Sequence, residues 1–242
     1  AKGGQFKVNR KEYLQMINGI IYGEDPRQGY VENNFFYHPE LKFKFPIPQG
    51  WQLYNSPSQV QMAPEDGKSM MIMTLSPEKT LDAAAQGIVE QYQLTVVESQ
   101  RTNVNGLNAI AMISDQIPQA ENGQQAQGTA IRLLSYLINY NGMIYVFHGL
   151  AAPNDFNRYS SYFKRTMTNF EELRDQSKIN VTPVKIAVKK VTRNGTLSQA
   201  LTQLGVAGPD MQELSIINGM ELSDQVKTGD LLKVFSKQYN KK

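Results

Sequence analysis

One stretch constrains this chain more than any other: residues 35–51, FFYHPELKFKFPIPQGW. Leu41, Phe43 and Phe45 alternate with Lys42 and Lys44, the pattern of a strand with one buried face and one wet face. The spacing predicts a single strand that seeds the main core. Pro46 and Pro48 have no N–H to donate to a ladder, so they end it. Gly50 then permits the turn that brings Trp51, the only tryptophan, back onto the sheet.

The rest of the chain reads as elements gathered around that strand. Asn9 caps a helix over residues 10–22, with Tyr13, Leu14, Ile17, Ile20 and Ile21 at helical spacing and Gly23 as its stop. Strands are expected at 51–54, 59–62 and 69–75. Ser76-Pro77-Glu78 then reads as the cap, first-turn proline and first-turn acid of a helix reaching Gln93. Four more strands follow, at 94–100, 107–114, 129–140 and 143–150, with a polar GQQAQG loop before the third. Asn141-Gly142 marks the hairpin between the last two. A helix capped by Asn154 carries Phe156, Tyr159, Tyr162, Phe163 and Met167. This order predicts an α+β fold, a mainly antiparallel sheet covered by helices. A second reading frame of order begins near Ser177, where polar text gives way to a strand over 184–191, helices over 198–204 and 210–218, and a strand over 231–235. The expected domains are 1–30 (helix and loop), 31–176 (α+β) and 177–242 (a small βααβ domain).

Composition excludes more than it assigns. Twenty-five basic and 22 acidic residues give +3, too mild a surplus to argue for nucleic acid. There are no cysteines, which rules out disulfides and thiolate metal sites. The longest apolar run, near 142–152, falls short of the ~20 residues a spanning helix needs. The start at Ala1, with no methionine and no leader pattern, is expected to reflect processing or a cut from a longer polypeptide.

Two pieces of sequence resemble known families. In the tail, Asn194-Gly195-Thr196-Leu197 stands where LysM modules have a Gly-Asp-Thr-Leu turn. Glu213-Leu214 through Asn218-Gly219 matches their second helix end, and Lys227-Thr228-Gly229-Asp230 their entry to the last strand, with threonine in place of proline. INGIIYGEDPRQGYV (17–31), FFYHPELKFKFPIPQGWQLYNSP (35–57) and the junction after Phe170 resemble the C-terminal half of bacterial HtpX-related zinc-dependent metallopeptidases. The resemblance implies a PsbP/Mog-like α+β domain, a LysM-like end, a bacterial cell-envelope or periplasmic setting, and a catalytic peptidase domain of the same polypeptide as partner.

That family's chemistry does not come with it. Zinc hydrolysis there needs an HExxH helix, two imidazoles on one face and a glutamate to activate water. Only His38 and His148 occur here, each alone, so the expectation is no catalytic residue, no metal ligand and no cofactor in this chain, zinc belonging to the separate catalytic domain. The two histidines read as structural, hydrogen-bonded at strand ends. Ser76-Pro77-Glu78-Lys79, Ser223-Asp224-Gln225 and Lys227-Thr228-Gly229 echo penicillin-recognising serine enzymes, but Gln225 replaces the asparagine and the last two motifs nearly abut. The dense aromatics, Tyr13, Tyr54, Tyr136 and Tyr145 among them, read as core. Lys185, Lys189, Lys190 and Arg193 form a basic strip that reads as a solvated face. The expected role is an accessory region recognising protein substrates or a docking partner. The alternative is binding of peptidoglycan or another N-acetylated glycan, with Asn194, Gly195, Thr196, Leu197, Asn218 and Gly219 as candidate ligands.

Overall fold

The computed structural model describes residues 9–117 and 130–237; the GQQAQG loop lies outside them. The chain forms two compact units, one of residues 28–180 and one made by the flanking segments, up to Arg27 and from Val181 onward.

Helix α1 (Arg10–Ile17) opens the flanking unit, and the Asn9 side chain accepts from Glu12 N–H. It stops five residues short of the expected end. Asn18 turns extended and Gly19 takes φ +92°, after which the backbone finds a strand-like partner: Gly19 N–H donates to Ile186 C=O, Ile186 N–H to Ile20 C=O and Tyr22 N–H to Val184 C=O. Helical spacing in 20–22 is overridden because these inter-segment bonds replace intrahelical ones.

The central unit begins with β1 (Tyr30–Glu32), β2 (Phe35–His38) and β3 (Phe43–Pro46). The 35–46 stretch is thus a hairpin and not one strand. Phe36 pairs with Phe45 and His38 with Phe43, and Lys42, at φ +55°, turns the connection. Pro39 sits in that connection, where its missing N–H interrupts no ladder. Phe36, Phe43 and Phe45 are fully buried on one face, as their alternation requires.

Next come β4 (Trp51–Asn55), β5 (Val60–Pro64), β6 (Ser69–Ser76), helix α2 (Leu81–Tyr92), β7 (Thr95–Val104), β8 (Leu107–Gln116), β9 (Ile131–Tyr140), β10 (Met143–Ala151) and helix α3 (Pro153–Thr168). The short β11 (Glu171–Glu172) and α4 (Gln176–Ile179) close the unit. Seven strands make one antiparallel sheet in the order β4-β5-β6-β10-β9-β8-β7, and β1-β2-β3-β11 make a second. Trp51 therefore starts the larger sheet, where it meets the Tyr159 and Phe163 rings of α3. Two caps differ from expectation. Thr80, not Ser76, accepts from Ala83 N–H at the start of α2, while Ser76 ends β6 and accepts from Glu78 N–H in a local turn. Pro153 takes the first turn of α3, so Ala152 is its cap residue and Asn154 lies inside the helix.

The large sheet is covered on both faces. Leu81, Ala84 and Ile88 of α2 pack on Ile110, Leu137 and Val146. On the other face the small sheet and α3 meet the intervening residues of the same strands, with Phe43 stacked on Phe170 at 5.2 Å and Phe45 edge-on to Phe147 at 5.4 Å. Gly149 lets α3 approach, since a Cβ there would overlap the Phe163 ring.

In the tail, β12 (Ile186–Lys190) pairs antiparallel with β15 (Leu231–Phe235), and β13 (Gly195–Thr196) with β14 (Gln225–Val226). Helices α5 (Leu197–Gln203) and α6 (Gly208–Asn218) lie between, over a core of Leu197, Leu201, Leu214, Leu232 and Val234.

Candidate functional site

The period-2 geometry of the large sheet builds a groove. Glu98 and Gln100 of β7 stand opposite Ile113 and Ala111 of β8, and Leu134 and Tyr136 of β9 face the same way. Helix α3 covers β9 and β10 and stops short of β7, the sheet's edge. Between them lies a cavity of about 510 Å³ with an apolar floor, Ala111, Ile113, Leu134 and Tyr136, and a polar rim that includes Asn157, Ser160 and Lys164.

Tyr136 is the informative residue. It is 6% exposed, burial alone raises its phenol pKa, and no described residue hydrogen-bonds its hydroxyl. Its ring lines the floor of the groove. Tyr145, one strand over, also lacks a partner, but its hydroxyl is sealed in the core. Beside the groove runs a ten-residue edge strand, β7, whose first seven residues are all exposed and whose pairing slips at a bulge between Val96 and Glu98. An edge presents unpaired backbone groups, and a bulge of this kind limits indiscriminate pairing.

The histidines lie apart. His38 Nδ1 accepts from Leu41 N–H, 3.2 Å, at the end of β2, and packs on Phe36 and Phe43. His148 sits in the middle of β10 instead of at a strand end, on the α2 face, against the Tyr92 ring. Its Nδ1 shares a 2.8 Å hydrogen bond with Ser135 Oγ. Burial pulls the His148 pKa down to about 4 and also lowers that of His38. Ser135–His148 has the pairing of a nucleophile and a base, yet Ser135 is fully buried, so no substrate can reach it. No group of three or more His, Asp or Glu side chains among the described residues is arranged to hold a metal. Ser76 and Lys79 belong to the central unit and Ser223 and Lys227 to the flanking one.

The six residues expected to bind glycan hold structural positions. Asn194 Oδ1 accepts from Thr228 N–H at 2.8 Å, and Gly195 pairs with Val226. Thr196 caps α5 in a reciprocal bond with Gln199, and Leu197 is fully buried. Asn218 donates to Leu214 C=O and Lys233 C=O and accepts from Lys233 N–H, which fastens α6 to β15. Gly219 ends α6 at φ +65°. Of the aromatics expected in the core, Tyr13 and Tyr54 are exposed.

Solved structures similar to this chain include cyanobacterial PsbP (CyanoP) from Synechocystis sp. PCC 6803, at 14% identity over 60% of this chain and 91% of that one, TM-score 0.43. The Saccharomyces cerevisiae Ran-binding protein Mog1p is similar over 62% of this chain and 99% of its own, at 11% identity and TM-score 0.43. No protein-family model matches the chain, and no curated protein does. No described helix is long and apolar enough to cross a membrane.

Proposed function

We propose that this chain is a non-catalytic recognition region of a bacterial cell-envelope zinc-dependent metallopeptidase of the HtpX-related kind. In this reading its PsbP/Mog-like domain receives an extended segment of a protein substrate, and its LysM-like tail follows. Zinc and the hydrolytic step belong to a separate catalytic domain. The observation that carries the reading is the groove between α3 and β7, in which Ala111, Ile113, Leu134 and Tyr136 make an apolar floor beside the exposed edge strand. Apolar floor, polar rim and an adjacent strand edge suit a peptide, which brings side chains for the first, amides for the second and backbone for the third. The sequence resemblance supplies the parent enzyme.

The test is hydrogen exchange of the intact chain with and without a reduced, carboxymethylated protein. Slowed exchange in β7 and α3 is expected, abolished by Ser160→Trp, which fills the groove from its rim, and weakened by Tyr136→Phe. Protection that ignores Ser160→Trp, or cleavage of the unfolded protein by this chain, overturns the reading.

The second reading, glycan binding by the tail, draws its support from the resemblance and from the exposure of Asn194 and Gly219. Since the Asn218 amide and the Asn194 Oδ1 are already engaged, the Asn194 NH2 and the backbone around these residues would make the contacts. Co-sedimentation with peptidoglycan that persists in Tyr136→Phe and disappears when the chain ends at Asn180 would favour it.

A further inference from the structure

Helix α1 turns Leu14 inward and leaves Tyr13 and Met16 exposed, at 53% and 79%, with Ile20 in the following turn at 52%. Three large apolar side chains within eight residues are thus held in water. Four cations are carried by the same helix and by the two strands packed against it, β12 and β15. Arg10 and Lys11 occupy the first turn of α1, where the helix dipole is already positive and repels them. Lys190 ends β12, and Lys233 Nζ lies 5.6 Å from the Tyr13 ring centroid. None of the four has an ion-pair partner among the described residues.

Arg10, Lys11 and Lys190 share the rim of a cavity of about 600 Å³, floored by Leu14, Met220 and Leu231. Its one acid, Asp230, accepts from Lys227 N–H and is exposed. Burial, and after it the Arg10 charge, lowers the Lys233 pKa. Charge along the chain concentrates in the same unit. The segments up to Arg27 and from Val181 carry 14 basic against 8 acidic residues, net +6, whereas residues 28–180 carry 11 against 14, net −3.

We propose that this surface docks on an anionic lipid bilayer, with Tyr13, Met16 and Ile20 entering the headgroup boundary and the cavity between Arg10, Lys11 and Lys190 receiving a headgroup phosphate. The pairing of features selects the occupant. A soluble polyanion would use the cations and leave the apolar trio in water. An apolar protein face would bury the trio and strand the cations. A bilayer of negative lipids satisfies both at one depth, the arrangement of interfacial helices. The proposal is independent of the groove in the central unit.

The intact chain is pelleted with vesicles of equimolar phosphatidylglycerol and phosphatidylcholine and with vesicles of phosphatidylcholine alone. Binding to the first only is expected. Replacing Arg10, Lys11 and Lys190 together by Gln is expected to weaken it by roughly 100-fold, from about a factor of five per cation. Met16→Ser is expected to weaken it by about tenfold. In an otherwise unchanged chain, Met16→Trp should add fluorescence that brominated lipid quenches. Equal binding to both vesicles, absence of binding at low salt, or an unquenched Trp at position 16 overturns the proposal. So does full displacement from vesicles by millimolar inorganic phosphate or polyglutamate together with an unaffected Met16→Ser, which would mark a soluble-anion site. The substituted side chains are exposed and unpaired, so an unchanged urea midpoint checks that every variant is folded.

Discussion

His148 shows how one buried side chain writes a pH dependence into the whole fold. In the unfolded chain its pKa is near 6.5, and in the folded one burial lowers it to about 4. The native state therefore holds the imidazole neutral, bonded to Ser135. As pH falls below 6.5 the unfolded state takes up a proton that the native state refuses, so stability is complete above 6.5 and drains away down to about 4. The full difference amounts to ~3 kcal/mol. His38, also lowered, adds in the same direction. Paired carboxylates such as Asp115, held down by its hydrogen bonds to Arg132, lose their contribution only at lower pH. Urea midpoints measured from pH 7 to pH 4 should fall, and His148→Gln, which keeps a hydrogen-bonding group beside Ser135 but does not titrate there, should remove most of that fall. Parallel curves for the two chains would mean that His148 does not carry it. The sequence shows this histidine in an aromatic strand but not its Ser135 partner, because the bond depends on which residues of β9 and β10 stand opposite each other.

At the scale of elements, legibility follows how local the deciding interaction is. Asn141-Gly142 announces its hairpin because both residues take positive φ, +50° and +73°, and the strands on either side need nothing else. The 35–46 hairpin is hidden because its turn uses Lys42 at positive φ, a conformation lysine seldom adopts. Helix α1 ends early for a reason some 165 residues away in sequence, the edge offered by Val184 and Ile186. The groove is invisible for the same reason: its floor alternates along two strands and its sides are a third strand and a helix, so no contiguous motif marks it. The one available signal is Tyr136, a polar-tipped aromatic on the inward face of β9. Asn218 illustrates the reverse error, a residue singled out for a ligand that the fold uses itself. Three hydrogen bonds of 2.8–2.9 Å tie it to α6 and β15. Asn218→Ala removes all three bonds, leaves the Lys233 C=O and N–H without their side-chain partner, and should cost about 2–3 kcal/mol by urea denaturation. A loss of glycan binding in that variant would thus report unfolding unless stability is measured beside it, and an unchanged midpoint would return Asn218 to the candidate ligands.

The chain as a whole is a discontinuous unit wrapped in sequence around a continuous one, and the two should differ in what they need. The central unit has two sheets, helices on both faces and its own aromatic core, all within residues 28–180. The tail has little more than 50 described residues, a size at which a core is marginal without added support. Residues 9–27 supply it. Leu14 is 2% exposed, and burying such a side chain is worth about 2 kcal/mol. The backbone bonds of Gly19, Ile20 and Tyr22 to the 184–186 strand add to that, as do the Asn18 side chain, which accepts from Val188 N–H, and the Tyr22 ring on Phe235 at 4.7 Å. An isolated helix of eight residues has no stability of its own, so the support is mutual. Deleting the residues before Gln28 should therefore remove about 4 kcal/mol or more from the tail, at ~1 kcal/mol per net hydrogen bond beyond the Leu14 term. Hydrogen exchange of that truncated chain is expected to show lost protection in β12 and β15 with β9 and β10 unchanged. Equal protection in all four strands would mean that the tail stands alone, and equal loss would mean that the two units fold as one.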